Sequence, residues 1–138
     1  MSVENYIFIL GMAALWFAFG ALWYSPLLAG NMWMKAHGRS MEALQAENPH
    51  MAKSMGMSFL ICFLQAAIMG FIIGHVKIQS VLMAAIMGLM LAAAFGVLSD
   101  IRSHYYLRRN LRLVWIDRGY DLLAAPVVAA LMAWYLHG

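Results

Sequence analysis

The 138-residue sequence has few charges and a single cysteine. Charged residues make up 11% of the chain and hydrophobic residues 64%, whereas a soluble domain is typically about 25% charged and about 45–50% apolar. This imbalance excludes an ordinary cytosolic domain, a disordered tail and a fibrous repeat. One cysteine excludes a disulfide framework and a thiolate metal cluster. The composition that remains is that of an integral membrane protein.

The sequence also lacks the short motifs of common enzymes and metal sites. It has no Ser-His-Asp arrangement, no His-Glu-x-x-His and no glycine-rich phosphate loop. No two histidines have the spacing of a helix-borne metal site, and the thirteen methionines are spread along the chain as adaptable packing residues. A net charge of +3 comes from few charges and gives no indication of nucleic-acid binding. We therefore expect no enzyme activity, no cofactor, no metal and no nucleic-acid partner.

Four stretches are long and apolar enough to cross a bilayer, which takes about 20 mostly apolar residues as a helix. They cover approximately residues 5–25, 52–75, 81–100 and 113–136. Helices are expected because backbone polar groups must be satisfied within the segment when it lies in lipid. The sequence predicts an all-α integral membrane protein, with residues 1–138 forming one compact bundle of four transmembrane helices. The polar stretch 101–112 is either an extension of the third helix or a short interfacial helix.

Basic residues are concentrated in two of the three connecting loops. They are Lys35, Arg39 and Lys53 after the first span, and Arg102, Arg108, Arg109 and Arg112 after the third. The loop between the second and third spans has only Lys77. The positive-inside rule therefore predicts that both longer loops are cytoplasmic and that both termini lie on the opposite side.

Small residues recur at every fourth position of three predicted helices, and such residues share one helix face. They are Ser58, Cys62, Ala66, Gly70 and Gly74 on the second helix, Ala84, Gly88, Ala92 and Gly96 on the third, and Ala125, Ala129 and Ala133 on the fourth. Helices in lipid associate where small residues allow their backbones to approach closely. The stripes predict packing within the chain or against a second copy, and both interpretations stay open.

The four-residue spacing of two of these stripes continues to aspartate residues. Asp100 lies four positions beyond Gly96. Asp121 and Asp117 lie four and eight positions before Ala125. Because an aspartate at the centre of a span costs about 2.5–3.5 kcal/mol, these side chains are expected to face protein or water. One hypothesis is a proton or cation relay, or a site for a basic ligand. The other is a structural cluster of ion pairs with nearby arginines.

Two segments form recognisable motifs. One is residues 20–28, Gly-Ala-Leu-Trp-Tyr-Ser-Pro-Leu-Leu, followed by Trp33-Met34-Lys35; the other is residues 111–120, Leu-Arg-Leu-Val-Trp-Ile-Asp-Arg-Gly-Tyr. Together they resemble the small bacterial membrane proteins called domain of unknown function 1761. The resemblance implies four spans and the bacterial inner membrane, and it implies no activity. It marks these positions for testing: Trp23, Tyr24, Ser25, Pro26, Trp33, Asp117, Gly119 and Tyr120.

The two motifs meet at a similar depth in the predicted bundle. Pro26 ends the first helix and frees a backbone carbonyl near Leu22, which Ser25 or a neighbouring helix can satisfy. Asp117 and Tyr120 lie at the corresponding level of the fourth helix. One hypothesis is a shared pocket; the alternative is an aromatic belt beside a helix break. The pocket would consist of Tyr24, Ser25, Asp117 and Tyr120.

Three classes of function fit this description. The small-residue stripes and the lack of catalytic motifs favour a non-enzymatic protein that acts by assembly, as a homo-oligomer or as a small accessory subunit of a membrane complex. The carboxylates near the cytoplasmic face favour an oligomeric transporter or channel for a small molecule or ion. Nothing specific favours a membrane enzyme. The expected partners are the lipid bilayer and either a second copy or another membrane protein.

Overall fold

The computed structural model describes residues 2–25, 30–38, 42–43, 46, 50–108 and 111–138, and within them the regular structure is entirely helical. The elements are α1 (Val3–Trp23), α2 (Gly30–His37), α3 (Met51–Val76), α4 (Val81–Leu91), a π-helical segment (Ala92–Val97), α5 (Leu98–Leu107) and α6 (Arg112–His137). Pro26, which belongs to the first motif, lies outside the described residues.

Four helices in the described part of the chain are long and apolar enough to cross a membrane. They are Val3–Trp23, Ala52–Val76, Val81–Leu107 and Arg112–His137. The prediction of an all-helical chain with four membrane-span-like helices is therefore confirmed. The third of these helices continues to Leu107, so the polar stretch after residue 100 extends that helix instead of forming a separate one. It ends where Arg108 adopts a left-handed conformation, with φ of 51°.

The end of α1 is capped by the two residues that follow it, Tyr24 and Ser25. The backbone N–H of Tyr24 donates to the Gly20 carbonyl over 3.0 Å. Ser25 satisfies the Leu22 carbonyl twice, with its hydroxyl at 2.6 Å and its backbone N–H at 3.2 Å. The Ser25 side chain therefore takes up the carbonyl freed at the helix end, as the sequence suggested.

Helix α6 is the central element of the fold. It contacts α1, α2, α3, α4, the π-helical segment and α5. Of its most apolar 18-residue stretch, 39% is buried, compared with 17% for the corresponding stretch of α1. Ala124 and Val128 are fully buried on it. Pro126 also lies inside this helix. Because proline has no N–H, the Leu122 carbonyl loses its intrahelical donor, but the helix continues to His137.

The small-residue stripes pack inside the chain. A Cβ atom added to Gly88 of α4 would lie 2.6 Å from the Ala125 carbonyl oxygen and 2.9 Å from the Ala129 Cβ. On α3, Ala66 is fully buried, and a Cβ atom on Gly70 would lie 3.4 Å from Met132. These contacts show that the stripes pack within the chain, and packing against a second copy stays a prediction. Ala84 and Ala133 are buried with them, Gly74, Ala92 and Gly96 are half-buried, and Ser58 is exposed.

The third span contains a π-helical turn that the spacing of small residues did not predict. The stripe from Ala84 to Asp100 assumed α-helical geometry throughout, but residues Ala92–Val97 form wider π-helical turns. Since a π turn closes hydrogen bonds from i to i+5, it changes the direction in which the following residues project. Asp100 thus reaches its position through this segment and not along an uninterrupted α-helical stripe.

Candidate functional site

A cleft of about 390 Å³ lies where α3 and the third span both pack on α6. Its walls are mostly apolar, with polar groups supplied by Gln65, Arg118, Asp121 and the indole of Trp16. The remaining lining residues are Ile68, Met69, Ile72, Leu91, Ala92, Phe95, Gly96 and Ala125. A largely apolar cavity with a few convergent polar groups is the usual form of a small-molecule site.

Asp121 is the buried acid of this cleft, with only 6% of its surface exposed. Its Oδ1 accepts a hydrogen bond of 2.9 Å from the indole nitrogen of Trp16 on α1. Its Oδ2 lies 3.5 Å from Nη1 of Arg118, one helical turn earlier on α6. An acid within a membrane span requires such partners, because no water is available to solvate its charge.

Arg118 joins Asp121 to a second carboxylate. Its Nε donates to Oδ2 of Asp100 over 3.0 Å, while its Nη1 faces Asp121. One guanidinium is therefore shared between two acids, and the group carries one net negative charge when both acids are ionised. The Arg118 side chain is 38% exposed and lines the cleft. A molecule in the cleft would thus meet this network directly.

The π-helical segment supports the site in two ways. Phe95 and Gly96 belong to the segment and line the cleft. Asp100 follows three residues after the segment ends, so the turn sets the direction from which Asp100 approaches Arg118. Short π-helical turns within α-helices frequently occur at functional positions.

A second cluster surrounds Asp117 at the start of α6. Oδ1 of Asp117 accepts hydrogen bonds from the Tyr24 hydroxyl at 3.0 Å and from the indole nitrogen of Trp33 at 3.1 Å. Burial, followed by the charge of Asp117, raises the pKa of the Tyr24 phenol above its usual range. Tyr24 consequently stays protonated and remains a donor. These bonds fasten the end of α1 and the short helix α2 to α6.

Aromatic rings complete this second cluster. The indole of Trp23 donates to the Ile116 carbonyl, and its ring lies against Gly119. A Cβ atom on Gly119 would lie 2.5 Å from Cζ2 of Trp23, so the position has room only for glycine. The rings of Tyr24 and Tyr120 meet edge to face with centroids 5.8 Å apart. We call this cluster at the start of α6 the Asp117 junction; it consists of Asp117, Gly119 and the aromatic residues Trp23, Tyr24, Trp33 and Tyr120.

The chain matches the family described as Protein of unknown function (DUF1761) over residues 7–133. It belongs to this family. The match includes both acid clusters and nearly all of the four spans, in agreement with the resemblance seen in the two motifs. No curated protein and no solved structure matches the chain. Membership in DUF1761 assigns no activity to the chain.

Within the region matched to DUF1761, the structure separates the candidate residues into two groups. Tyr24 contacts both Asp117 and Tyr120 at the start of α6, and the shared pocket stays a prediction. The Ser25 hydroxyl donates its hydrogen bond to the Leu22 carbonyl, within its own segment. Asp100 and Asp121 meet through Arg118 in the cleft, apart from the bonds that hold Asp117.

Trp16 is the site residue that sequence reasoning did not identify. It lies in the middle of an apolar span and has no neighbouring motif. The available signal was the indole N–H, because a buried tryptophan usually needs a hydrogen-bond acceptor. In the structure Trp16 is buried and bonded to Asp121, 105 positions away in the sequence.

Proposed function

We propose that this chain is a non-enzymatic, multi-pass protein of the bacterial inner membrane that binds a small organic cation, or a proton in its place, in the cleft at Asp121. We further propose that it carries this cation across the membrane as a homo-oligomer, with both termini outside and the basic loops in the cytoplasm. The observation that carries the proposal is the single Arg118 guanidinium shared between Asp100 and Asp121.

The charge of this network supports a cationic ligand. Two carboxylates and one guanidinium leave one negative charge in a mostly apolar cleft. An uncompensated charge in such surroundings is costly, so a proton or a cation neutralises it. The rings of Trp16 and Phe95 line the same cleft, and aromatic faces attract organic cations. Gln65 adds a neutral hydrogen-bonding group.

The proposal includes an oligomer because four spans are few for a transporter. In the part of the chain that the structure describes, α4 packs mainly on α6. Only 17% of the most apolar 18-residue stretch of the third span is buried. Much of that span is thus left to lipid or to a second copy.

A role by assembly alone, as an accessory subunit of a membrane complex, is the second candidate. The same exposed surface of the third span favours it. In that case the Arg118 network would be structural and would hold α5 against α6. The two functions differ in whether the cleft binds a cation.

Binding of benzyltrimethylammonium, a small aromatic cation, tests the proposed function. We expect the protein in lipid nanodiscs to bind it and Asp121→Asn to lose at least tenfold in affinity, since the variant lacks the uncompensated charge. Asp117→Asn is the matched control: it removes the same charge one helical turn away, outside the cleft lining, and should retain binding. Absence of binding to the unmodified protein, or equal losses in both variants with helix content unchanged, would exclude the cation site.

A further inference from the structure

Gln65 supplies an amide group near the middle of α3, on the wall of the Asp121 cleft. Within the described part of the chain, no hydrogen bond joins this side-chain amide to another residue. The side chain is half-buried, and neither its oxygen nor its nitrogen is fully enclosed by protein. A molecule in the cleft can therefore reach the carbonyl acceptor and the N–H donors of Gln65.

The other polar groups of the cleft are paired with one another. Asp121 accepts a hydrogen bond from the indole of Trp16, and Arg118 contacts both Asp121 and Asp100. Gln65 takes no part in these bonds. An amide without a hydrogen-bond partner is costly in apolar surroundings, and a ligand that pairs with it removes this cost. The cleft therefore offers a second recognition group besides the charged network.

Gln65 and Asp121 lie at different depths of the bundle. Helices α3 and α6 are separated by one span, so they run through the bundle in the same direction. Gly70 of α3 lies against Met132 of α6. Gln65 is five residues before Gly70, whereas Asp121 is eleven residues before Met132. The two side chains therefore leave their helices at levels that differ by six residues, or about 9 Å at 1.5 Å per residue.

The space between these two levels is apolar. Gly88 of α4 lies against Ala125, and Gly96 lies beside Arg118, so the third span runs in the opposite direction to α6. Leu91 lies between these two glycines and lines the cleft between the two polar levels. A ligand that fills the cleft therefore meets the charged network at one end, an apolar wall beyond it and an amide at the other end.

This order of groups indicates the chemical class of the ligand. We propose that the cleft takes an organic cation that also carries an uncharged amide, carbonyl or hydroxyl group, separated from its charge by an apolar part, and that Gln65 hydrogen-bonds this group. This second recognition point rests on the proposed cation site. Gln65 then selects among cations, because a site built to hydrogen-bond its ligand rejects analogues that lack the matching group.

Two cations of nearly equal shape test this selection: para-carbamoylbenzyltrimethylammonium and para-isopropylbenzyltrimethylammonium. In both, a ring separates the charge from the para group, but only the carbamoyl group forms hydrogen bonds. Calorimetric titration of the unmodified protein in nanodiscs should give about fivefold tighter binding of the carbamoyl cation, the typical contribution of one hydrogen bond. Gln65→Met should lose this preference. It should bind benzyltrimethylammonium, which has no para group, as tightly as the unmodified protein does.

The matched control is Gln79→Met, the same substitution at an exposed position outside the cleft lining, which should keep the preference. Equal or weaker binding of the carbamoyl cation by the unmodified protein would overturn the role of Gln65, and this comparison requires no variant. A preference kept in Gln65→Met, or lost equally in both variants, would overturn it as well. In these cases binding of benzyltrimethylammonium would leave the cation site in place. Absence of binding of all three cations would exclude that site, and the role of Gln65 with it.

Discussion

At the scale of single residues, two aspartates one helical turn apart have different surroundings. Asp117 accepts two neutral donors, Tyr24 and Trp33, which fasten neighbouring elements. Asp121 accepts one neutral donor and shares Arg118 with Asp100 beside an open cleft. The contacts of Asp117 hold neighbouring elements together, whereas Asp121 lines the cleft, where a ligand could reach it.

A residue-scale prediction concerns Gly119. In Gly119→Ala the added methyl group would overlap the Trp23 ring, which is held by its bond to the Ile116 carbonyl. Overpacking of this kind typically costs about 1–3 kcal/mol. We expect a lower free energy of unfolding, measured by thermal or denaturant unfolding in detergent.

The control for this prediction is Gly11→Ala on α1. No atom lies within 4 Å of a Cβ atom added there, so that variant should be as stable as the unmodified protein or more stable. Equal stability of Gly119→Ala and Gly11→Ala would show that the Trp23 contact does not restrict the position.

The sequence predicted which acids need partners but not which partners they have. The cost of burying a carboxylate in lipid identified Asp100, Asp117 and Asp121 without any coordinates. The bond from Trp16 to Asp121 joins residues 105 positions apart. Such a contact depends on how α1 and α6 are rotated about their axes, which hydropathy does not report.

At the scale of elements, the four long helices were predictable, but the short helix α2 and the π-helical segment were not. Long apolar runs are sufficient to identify spans, because backbone groups in lipid favour helices. Residues Ala92–Val97 are apolar like their neighbours, so their composition does not distinguish π from α geometry. In the structure the segment lines the cleft, and Asp100, three residues after its end, is bonded to Arg118.

The element-scale prediction is that Gly88→Ala separates α4 from α6. Its new Cβ atom would lie 2.6 Å from a backbone oxygen of Ala125, which cannot move as a side chain can. We expect a loss of about 1–3 kcal/mol in the free energy of unfolding, because the two helices must move apart.

Gly56→Ala is the matched control for this helix contact. Gly56 is also helical, is exposed, and has no atom within 4 Å of an added Cβ atom. Both substitutions change helix propensity equally, so their difference isolates the steric overlap. A difference below about 0.5 kcal/mol would mean that the α4–α6 contact is not close.

At the scale of the whole molecule, α6 organises the fold. It contributes the small residues against which α4 packs. Its two acids, Asp117 and Asp121, accept hydrogen bonds from Tyr24 and Trp16, and its Arg118 donates to Asp100. The sequence indicated this role only indirectly, because α6 is the one predicted span with acids in its first part. The four spans could be predicted from hydropathy. Their packing around α6 could not, because it depends on contacts between residues far apart in the sequence.

At this scale, we propose that the Asp121 cleft carries an organic cation across the membrane and binds a proton in the place of the cation. The most direct measurement is uptake of benzyltrimethylammonium into vesicles containing the purified protein under an imposed pH gradient. We expect gradient-dependent uptake that is lost in Asp121→Asn and kept in Asp117→Asn. Uptake by the unmodified protein no greater than that of protein-free vesicles would contradict transport, even if the cleft binds the cation.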